Sequence, residues 1–164
     1  MKTNTKKSTV YLCRAALIAA IYVALTFLSS ALGLSNGAIQ VRFSEMLCIL
    51  PIFFPSAIPG LTVGCFLSNL LTPGTHWLDI IVGPVATLIG ALGTYWLRKI
   101  KWLAPLPAVL SNTLIIPFVL AYGYGMEQAI PLMMLTVGIG EIISIYGLGS
   151  VMYFAGHKFF EKMK

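Results

Sequence analysis

The chain has 164 residues, of which 58% are hydrophobic and only 10% are charged. A soluble domain usually carries about 25% charged residues, so this composition excludes a water-soluble monomer. The net charge of +6 comes from basic residues grouped at the start, the middle and the end of the chain, beside apolar segments. Under the positive-inside rule, such groups indicate which ends of the membrane helices face the cytoplasm. They also argue against a nucleic-acid partner.

Apolar runs predict helices at about 12–34, 41–55, 58–72, 79–97, 103–124 and 129–157. The stretch 41–72 is ambiguous because prolines interrupt it at Pro51, Pro55 and Pro59. If it crosses the membrane twice, the basic clusters all face the same side, whereas a single crossing would separate them. We therefore expect an all-α integral membrane protein, with residues 1–164 forming one domain of six transmembrane helices and both termini in the cytoplasm.

Signatures of catalysis, metal binding and disulfide formation are missing from the sequence. The three cysteines, Cys13, Cys48 and Cys65, lie in or beside apolar segments and are odd in number, so we expect free thiols that serve packing. We find no Walker lysine, no His-Glu-x-x-His pair and no nucleophile elbow. The sequence thus predicts a protein that is not an enzyme, has no metal site and needs no cofactor.

On this topology, the loops near 35–41, 72–78 and 123–128 face outward. A polar and aromatic surface of this kind suits the capture of an aromatic, polar nutrient, although aromatic residues are also expected in an interfacial belt. The residues concerned, which lie in these loops or at the adjoining helix ends, are Gln40, Arg42, His76, Trp77, Asp79, Tyr122, Tyr124 and Glu127.

Ionisable residues inside apolar runs are costly, and they usually face a cavity or a partner. Arg42 and Glu45 are three residues apart, so they either form an internal pair or place one group on the substrate. Asp79 either caps a helix start or binds ligand. Glu141 lies about 24 Å from the cytoplasmic end of its helix and has no cation within a helical turn, which favours a ligand role. The amides of Asn69 and Asn112 either join neighbouring helices or belong to the same site.

A row of small residues runs along the first helix at Ala16, Ala20 and Ala24. Small residues at four-residue spacing let another helix approach closely within a membrane. That helix could belong to this chain or to a partner subunit.

Five segments, at 14–25, 37–51, 78–88, 105–112 and 137–141, resemble the QueT family. The most specific are Gln-x-Arg-x-Ser-Glu at 40–45 and Gly-x-Gly-Glu at 138–141. The resemblance implies a substrate-binding S-component of an energy-coupling factor (ECF) transporter in a bacterial cell membrane. It also implies docking on a scaffold subunit with two ATPase subunits, and Ala16, Ala20 and Ala24 match the family's scaffold contact.

The resemblance further implies a queuosine precursor as substrate, a 7-deazaguanine such as 7-aminomethyl-7-deazaguanine or queuine. Its ring N–H and exocyclic amine lie side by side and suit one carboxylate, and the side-chain amine is cationic. Glu45, Asp79 and Glu141 are the acids that could serve, with Arg42 neutralising one of them. Two alternatives stay open: an S-component for another vitamin or purine-like nutrient, and a membrane assembly subunit without transport activity.

Overall fold

The computed structural model describes residues 2–34, 39–125 and 130–162, with side chains described at 7–34, 39–125 and 130–160. Within these ranges the chain is all-helical and has no strand, which confirms the predicted class. The elements in chain order are α1 (Lys2–Ala31), a 3₁₀ helix (Phe43–Ile52), α2 (Ala57–Leu71), α3 (Trp77–Trp96), α4 (Leu106–Tyr124), α5 (Ile130–Glu141), a π-helical segment (Ile142–Leu148) and α6 (Gly149–Lys162). The predicted outer-loop residue Glu127 lies outside the described residues.

Four helical stretches of the described chain are long and apolar enough to cross a membrane: Lys7–Ala31, Trp77–Trp96, Leu106–Tyr124 and the continuous run Ile130–Phe160. The stretch 41–72 instead holds two shorter apolar helices, Phe43–Ile52 and Ala57–Leu71. A 3₁₀ helix rises about 2.0 Å per residue and an α-helix about 1.5 Å, so each is roughly 20 Å long. Both are shorter than a hydrocarbon core of about 30 Å. The count of six crossings therefore stays a prediction.

Two elements differ in detail from the expected helices. The first helix begins at Lys2 and not near residue 12, because it continues from the apolar run into the polar start of the chain. The helix after residue 42 is of the 3₁₀ type and contains Pro51. Proline has no N–H group and its ring crowds the preceding turn, which disfavours a regular α-helix there.

Glycine and alanine set the close packing of α1 on α2. A Cβ added at Gly64 would lie 2.7 Å from the Cβ of Tyr22, and one added at Gly60 would lie 2.8 Å from the carbonyl oxygen of Ala15. Real Cβ atoms do not approach other atoms that closely, so these contacts need glycine. The glycines of α2 thus lie directly against the face of α1 that includes Ala15, the buried Ala19 and Tyr22.

The described parts of the three basic clusters lie at one end of the bundle. The Arg14 guanidinium lies over the Phe54 ring at 5.3 Å, and Phe54 contacts Phe160 near the chain's end at 5.9 Å. From the middle cluster, the Lys101 ammonium lies over the Tyr153 ring at 5.7 Å. The opposite end of the bundle is formed by the end of α1, the end of α2, the start of α3 and the end of α4.

Candidate functional site

A polar cavity of about 30 Å³ lies between the helices, toward the end that is opposite the basic clusters. Of the residues predicted from sequence, Gln40, Arg42, Glu45, Asn69, Asp79, Asn112 and Glu141 all line it. The remaining lining residues are Cys65, Gly83, Thr87, Ile116 and Val137. The fold thus brings polar groups from five separate stretches of sequence to one point.

A wider cleft of about 300 Å³ lies on the outer side of this cavity. Gln40, Arg42, Asn69 and Asp79 line both spaces and so form the boundary between them. The rest of the cleft is lined by Thr26, Ser30, Thr72, Pro73, Gly74, Thr75, Leu120 and Tyr124. The inner cavity has room for about one water molecule, whereas the outer cleft reaches the lower end of the size range of ligand pockets.

Both carboxylate oxygens of Glu45 accept hydrogen bonds. The hydroxyl of Tyr22 donates to its Oε1 atom, and the thiol of Cys48 donates to Oε2 at 3.2 Å. The amide of Asn112 approaches the same Oε2 atom at 3.4 Å. In a 3₁₀ helix, residues three apart lie on one face, which puts Glu45 and Cys48 together. Glu45 is buried, with 3% of its surface exposed, so these donors keep a costly carboxylate in place.

Glu141 differs from Glu45 because one of its oxygens has no hydrogen-bond partner among the described residues. Its Oε1 atom accepts from the amide of Asn112 at 3.0 Å. Its Oε2 atom is buried and receives no hydrogen bond. Such a group costs about 1–3 kcal/mol when nothing satisfies it. Glu141 therefore offers an acceptor into the cavity that the fold itself does not use.

The position of Glu141 depends on the glycine before it. A Cβ added at Gly140 would lie 2.1 Å from the carbonyl oxygen of Gln40, which no side chain allows. Glycine thus lets α5 approach the extended backbone that leads into the 3₁₀ helix. The π-helical segment begins directly after Glu141, and such irregular turns are frequent at functional sites.

Asp79 lies in the first turn of α3 and connects that helix to α4. Its Oδ2 atom accepts a hydrogen bond from the Tyr124 hydroxyl at 2.7 Å, and the amide of Asn69 donates to its backbone carbonyl at 2.8 Å. The side chain of His76 caps α3 by accepting from the N–H group of Leu78 at 3.3 Å. His76 thus caps the helix, while the Asp79 carboxylate contacts Tyr124 and lines the cavity.

Three of the predicted residues lie outside the two polar spaces. Trp77 and Tyr122 are 61% and 64% exposed. This exposure favours a place in the aromatic belt at the membrane interface, the alternative to a binding role that the sequence left open. His76 packs against the Tyr124 ring at 5.8 Å without lining either space. Sequence reasoning missed Tyr22, although a polar aromatic residue within an apolar run signals a buried hydrogen bond. It also missed Thr26, Ser30, Cys65 and Thr87 as lining residues.

The alanine row on α1 is on the outside of the described bundle. Ala16, Ala20 and Ala24 are exposed, whereas the neighbouring Ala19 is buried against α2. Within the described residues, the face of α1 that contains Ala19 thus packs against the chain's own α2, whereas the row of Ala16, Ala20 and Ala24 is left uncovered.

The sequence profile of the QueT transporter family matches residues 12–158. The chain belongs to this family. Among curated proteins, "Queuosine precursor transporter QueT" from Lactococcus lactis subsp. cremoris (strain MG1363) is 41% identical over 85 residues, which is 51% of this chain and 49% of that protein. The match thus spans about half the length of the relative. No solved structure matches the chain. Family membership and the four long apolar helical stretches of the described chain identify a membrane protein of a transporter family.

Proposed function

We propose that this chain is the substrate-binding subunit of an ECF-type importer, and that it captures a queuosine precursor of the 7-deazaguanine class. The observation that carries the proposal is the Oε2 atom of Glu141, which has no hydrogen-bond partner among the described residues; Glu141 lines a cavity that Glu45 and Asp79 also line. The name of the Lactococcus lactis relative supports the choice of substrate.

The balance of charge around the cavity favours a cationic ligand. Among the described residues, the lining contains the carboxyl groups of Glu45, Asp79 and Glu141 and one guanidinium group, that of Arg42. An excess of acidic groups in a poorly solvated space is stabilised by a ligand that brings a positive charge. Among queuosine precursors, those with a side-chain amine fit better than neutral ones. We therefore favour 7-aminomethyl-7-deazaguanine or queuine.

The sizes of the two spaces suggest how such a ligand lies. The inner cavity, at about 30 Å³, accepts a group as small as an ammonium, whereas a fused ring needs the outer cleft of about 300 Å³. We place the ammonium beside Glu141 and Asn112. The ring then lies in the outer cleft, where Asp79 can accept from its N–H donors and the amide of Asn69 can donate to its carbonyl.

The remaining parts of the proposal concern orientation and partners. We assign the basic end to the cytoplasm by the positive-inside rule, with six crossings and both termini inside, in a bacterial plasma membrane. The polar cavity then opens outward, as capture requires. The exposed row of Ala16, Ala20 and Ala24 is the surface that we assign to the scaffold subunit, which carries two ATPase subunits.

Equilibrium binding by the purified subunit, without ATPases, tests the proposal. Titration calorimetry should compare 7-aminomethyl-7-deazaguanine with its 7-methyl analogue, guanine, thiamine, riboflavin and biotin. The amine should bind at least tenfold more tightly than the 7-methyl analogue, because a charge-assisted hydrogen bond contributes roughly 1.5–3 kcal/mol. Equal affinity for those two would refute the placement of the ammonium. Binding of one of the three vitamins, without binding of either deazaguanine, would replace the substrate class.

A further inference from the structure

A second cleft, of about 410 Å³, lies at the basic end of the bundle, away from the polar cavity. It lies between the start of α4 and the helical run from the π-helical segment into α6. Its lining combines aromatic and basic side chains: Ile49, Lys101, Trp102, Pro105, Tyr146, Ser150, Tyr153, Phe154, His157 and Lys158. None of these residues lines the polar cavity or the outer cleft.

The residues that line this basic-end cleft are of the types found at a membrane interface. Trp102 and Phe154 are 71% and 66% exposed, and their rings lie 6.4 Å apart. The hydroxyl of Tyr146 donates to the carbonyl oxygen of Trp102 at 3.0 Å, which fixes one wall to the other. Exposed aromatic groups beside lysines at helix ends are typical of the headgroup level of a bilayer.

The charged residues that are described in the lining of this cleft are basic. Lys101 and Lys158 line it together with His157, and none of the described lining residues is acidic. The ammonium of Lys101 is directed over the Tyr153 ring, so it is already oriented along the cleft wall. A ligand that complements this arrangement has an anionic head and an apolar body.

We propose that the basic-end cleft binds an anionic phospholipid. Its phosphate contacts Lys101 and Lys158, and an acyl chain lies along Trp102, Phe154 and Tyr146. Basic pockets between membrane helices suit such headgroups, and each lysine near an anionic lipid surface contributes on the order of fivefold in affinity. A free phosphate ion would leave the aromatic walls without a contact, which is why we favour the lipid. The proposal does not depend on the identity of the transported substrate.

Native mass spectrometry of the detergent-purified protein tests the proposal with phosphatidylglycerol and phosphatidylcholine of identical acyl chains. Phosphatidylglycerol should be retained preferentially. The variant Lys101→Gln should weaken its binding about fivefold, and the double variant Lys101→Gln/Lys158→Gln about 30-fold. Lys99→Gln is the matched control, because it removes the same charge from the same loop outside the cleft lining. An equal loss in Lys99→Gln would show general attraction to the basic surface and overturn the proposal.

Two further measurements distinguish a lipid from its headgroup. Ser150→Phe places a ring in the cleft without changing its charge, so it should reduce phosphatidylglycerol retention while the melting temperature shows that the fold persists. Glycerol phosphate without acyl chains should compete poorly. If glycerol phosphate displaced the lipid at similar concentration, the site would be a phosphate site and the acyl-chain assignment would be wrong.

Discussion

Replacing Glu141 by glutamine removes the charge while keeping the size of the side chain. The amide oxygen can still accept from Asn112, which now bonds to Oε1 at 3.0 Å. The new NH₂ group takes the place of Oε2, the buried atom that accepts no hydrogen bond in the described structure. A ligand donor that approached this atom would then meet another donor. Glu141→Gln thus opposes binding directly while it leaves the known contacts of the fold intact.

The size of the effect follows from those contacts. A hydrogen bond to a charged group contributes roughly 1.5–3 kcal/mol, which corresponds to a loss of about 10- to 100-fold in affinity. Because Oε2 makes no hydrogen bond within the described chain, its loss should not lower the stability of the ligand-free protein. Removing an incompletely satisfied buried carboxylate should leave the melting temperature unchanged or raise it.

Glu45→Gln is the matched control, because it is the same chemical change at a buried acid of the same cavity. Its carboxylate already receives hydrogen bonds from Tyr22 and Cys48. Glutamine at this position leaves one of these donors facing an NH₂ group, which should lower the stability of the fold by about 1–3 kcal/mol. Calorimetry with 7-aminomethyl-7-deazaguanine and thermal unfolding should be run on both variants. If Glu141→Gln kept wild-type affinity and lowered the melting temperature, Glu141 would be structural and the ligand assignment would fail.

Three further predictions concern packing, docking and topology. Gly140→Ala should destabilise the protein by about 1–3 kcal/mol and weaken ligand binding, because the new Cβ would overlap the Gln40 carbonyl. Gly147→Ala is its control: a Cβ at Gly147 meets open space, so thermal unfolding and ligand binding should both stay unchanged. Ala20→Trp should abolish co-purification with the scaffold subunit yet leave ligand affinity within about twofold, while Leu110→Trp, at another exposed position, should permit assembly. Normal assembly of Ala20→Trp would remove the docking assignment. A cysteine at Lys99, in a background where Cys13 is serine, should react with a membrane-impermeant thiol reagent only from the cytoplasmic side, and reaction from outside would overturn the six-crossing topology.

The sequence identified most of the polar cavity because an ionisable side chain in an apolar run is conspicuous. Glu45, Asp79 and Glu141 were each singled out by the cost of burying a charge, and all three line one cavity. The same reasoning reached Asn69 and Asn112, whose amides do join helices: Asn112 bridges Glu45 and Glu141. The two amides therefore both join neighbouring helices and line the cavity, which are the two roles that the sequence left open.

Partners that are distant in sequence could not be predicted. Tyr22 bonds to Glu45, which is 23 residues away, and Tyr124 bonds to Asp79, which is 45 residues away. No local pattern shows which helices will be neighbours. The aromatic residues of the outer end were ambiguous for another reason: an amphipathic ring suits a binding site and a bilayer interface equally, and only the exposure of Trp77 and Tyr122 distinguishes them.

The origin of the cavity lies in the short helix that begins at Phe43. At about 2.0 Å per residue, its ten residues cover about 20 Å, so it fills only part of the depth of a bundle that must span about 30 Å. The backbone at Arg42, directly before this helix, is extended, and Arg42 lines both the polar cavity and the outer cleft. Irregular backbone is tolerated within a membrane protein only where it is buried or lines a polar cavity, because its N–H and C=O groups need partners. The proline at 51, which disfavours a full α-helix, and the glycine at 140, which lets α5 approach Gln40, are therefore as necessary to the site as the acids that line it.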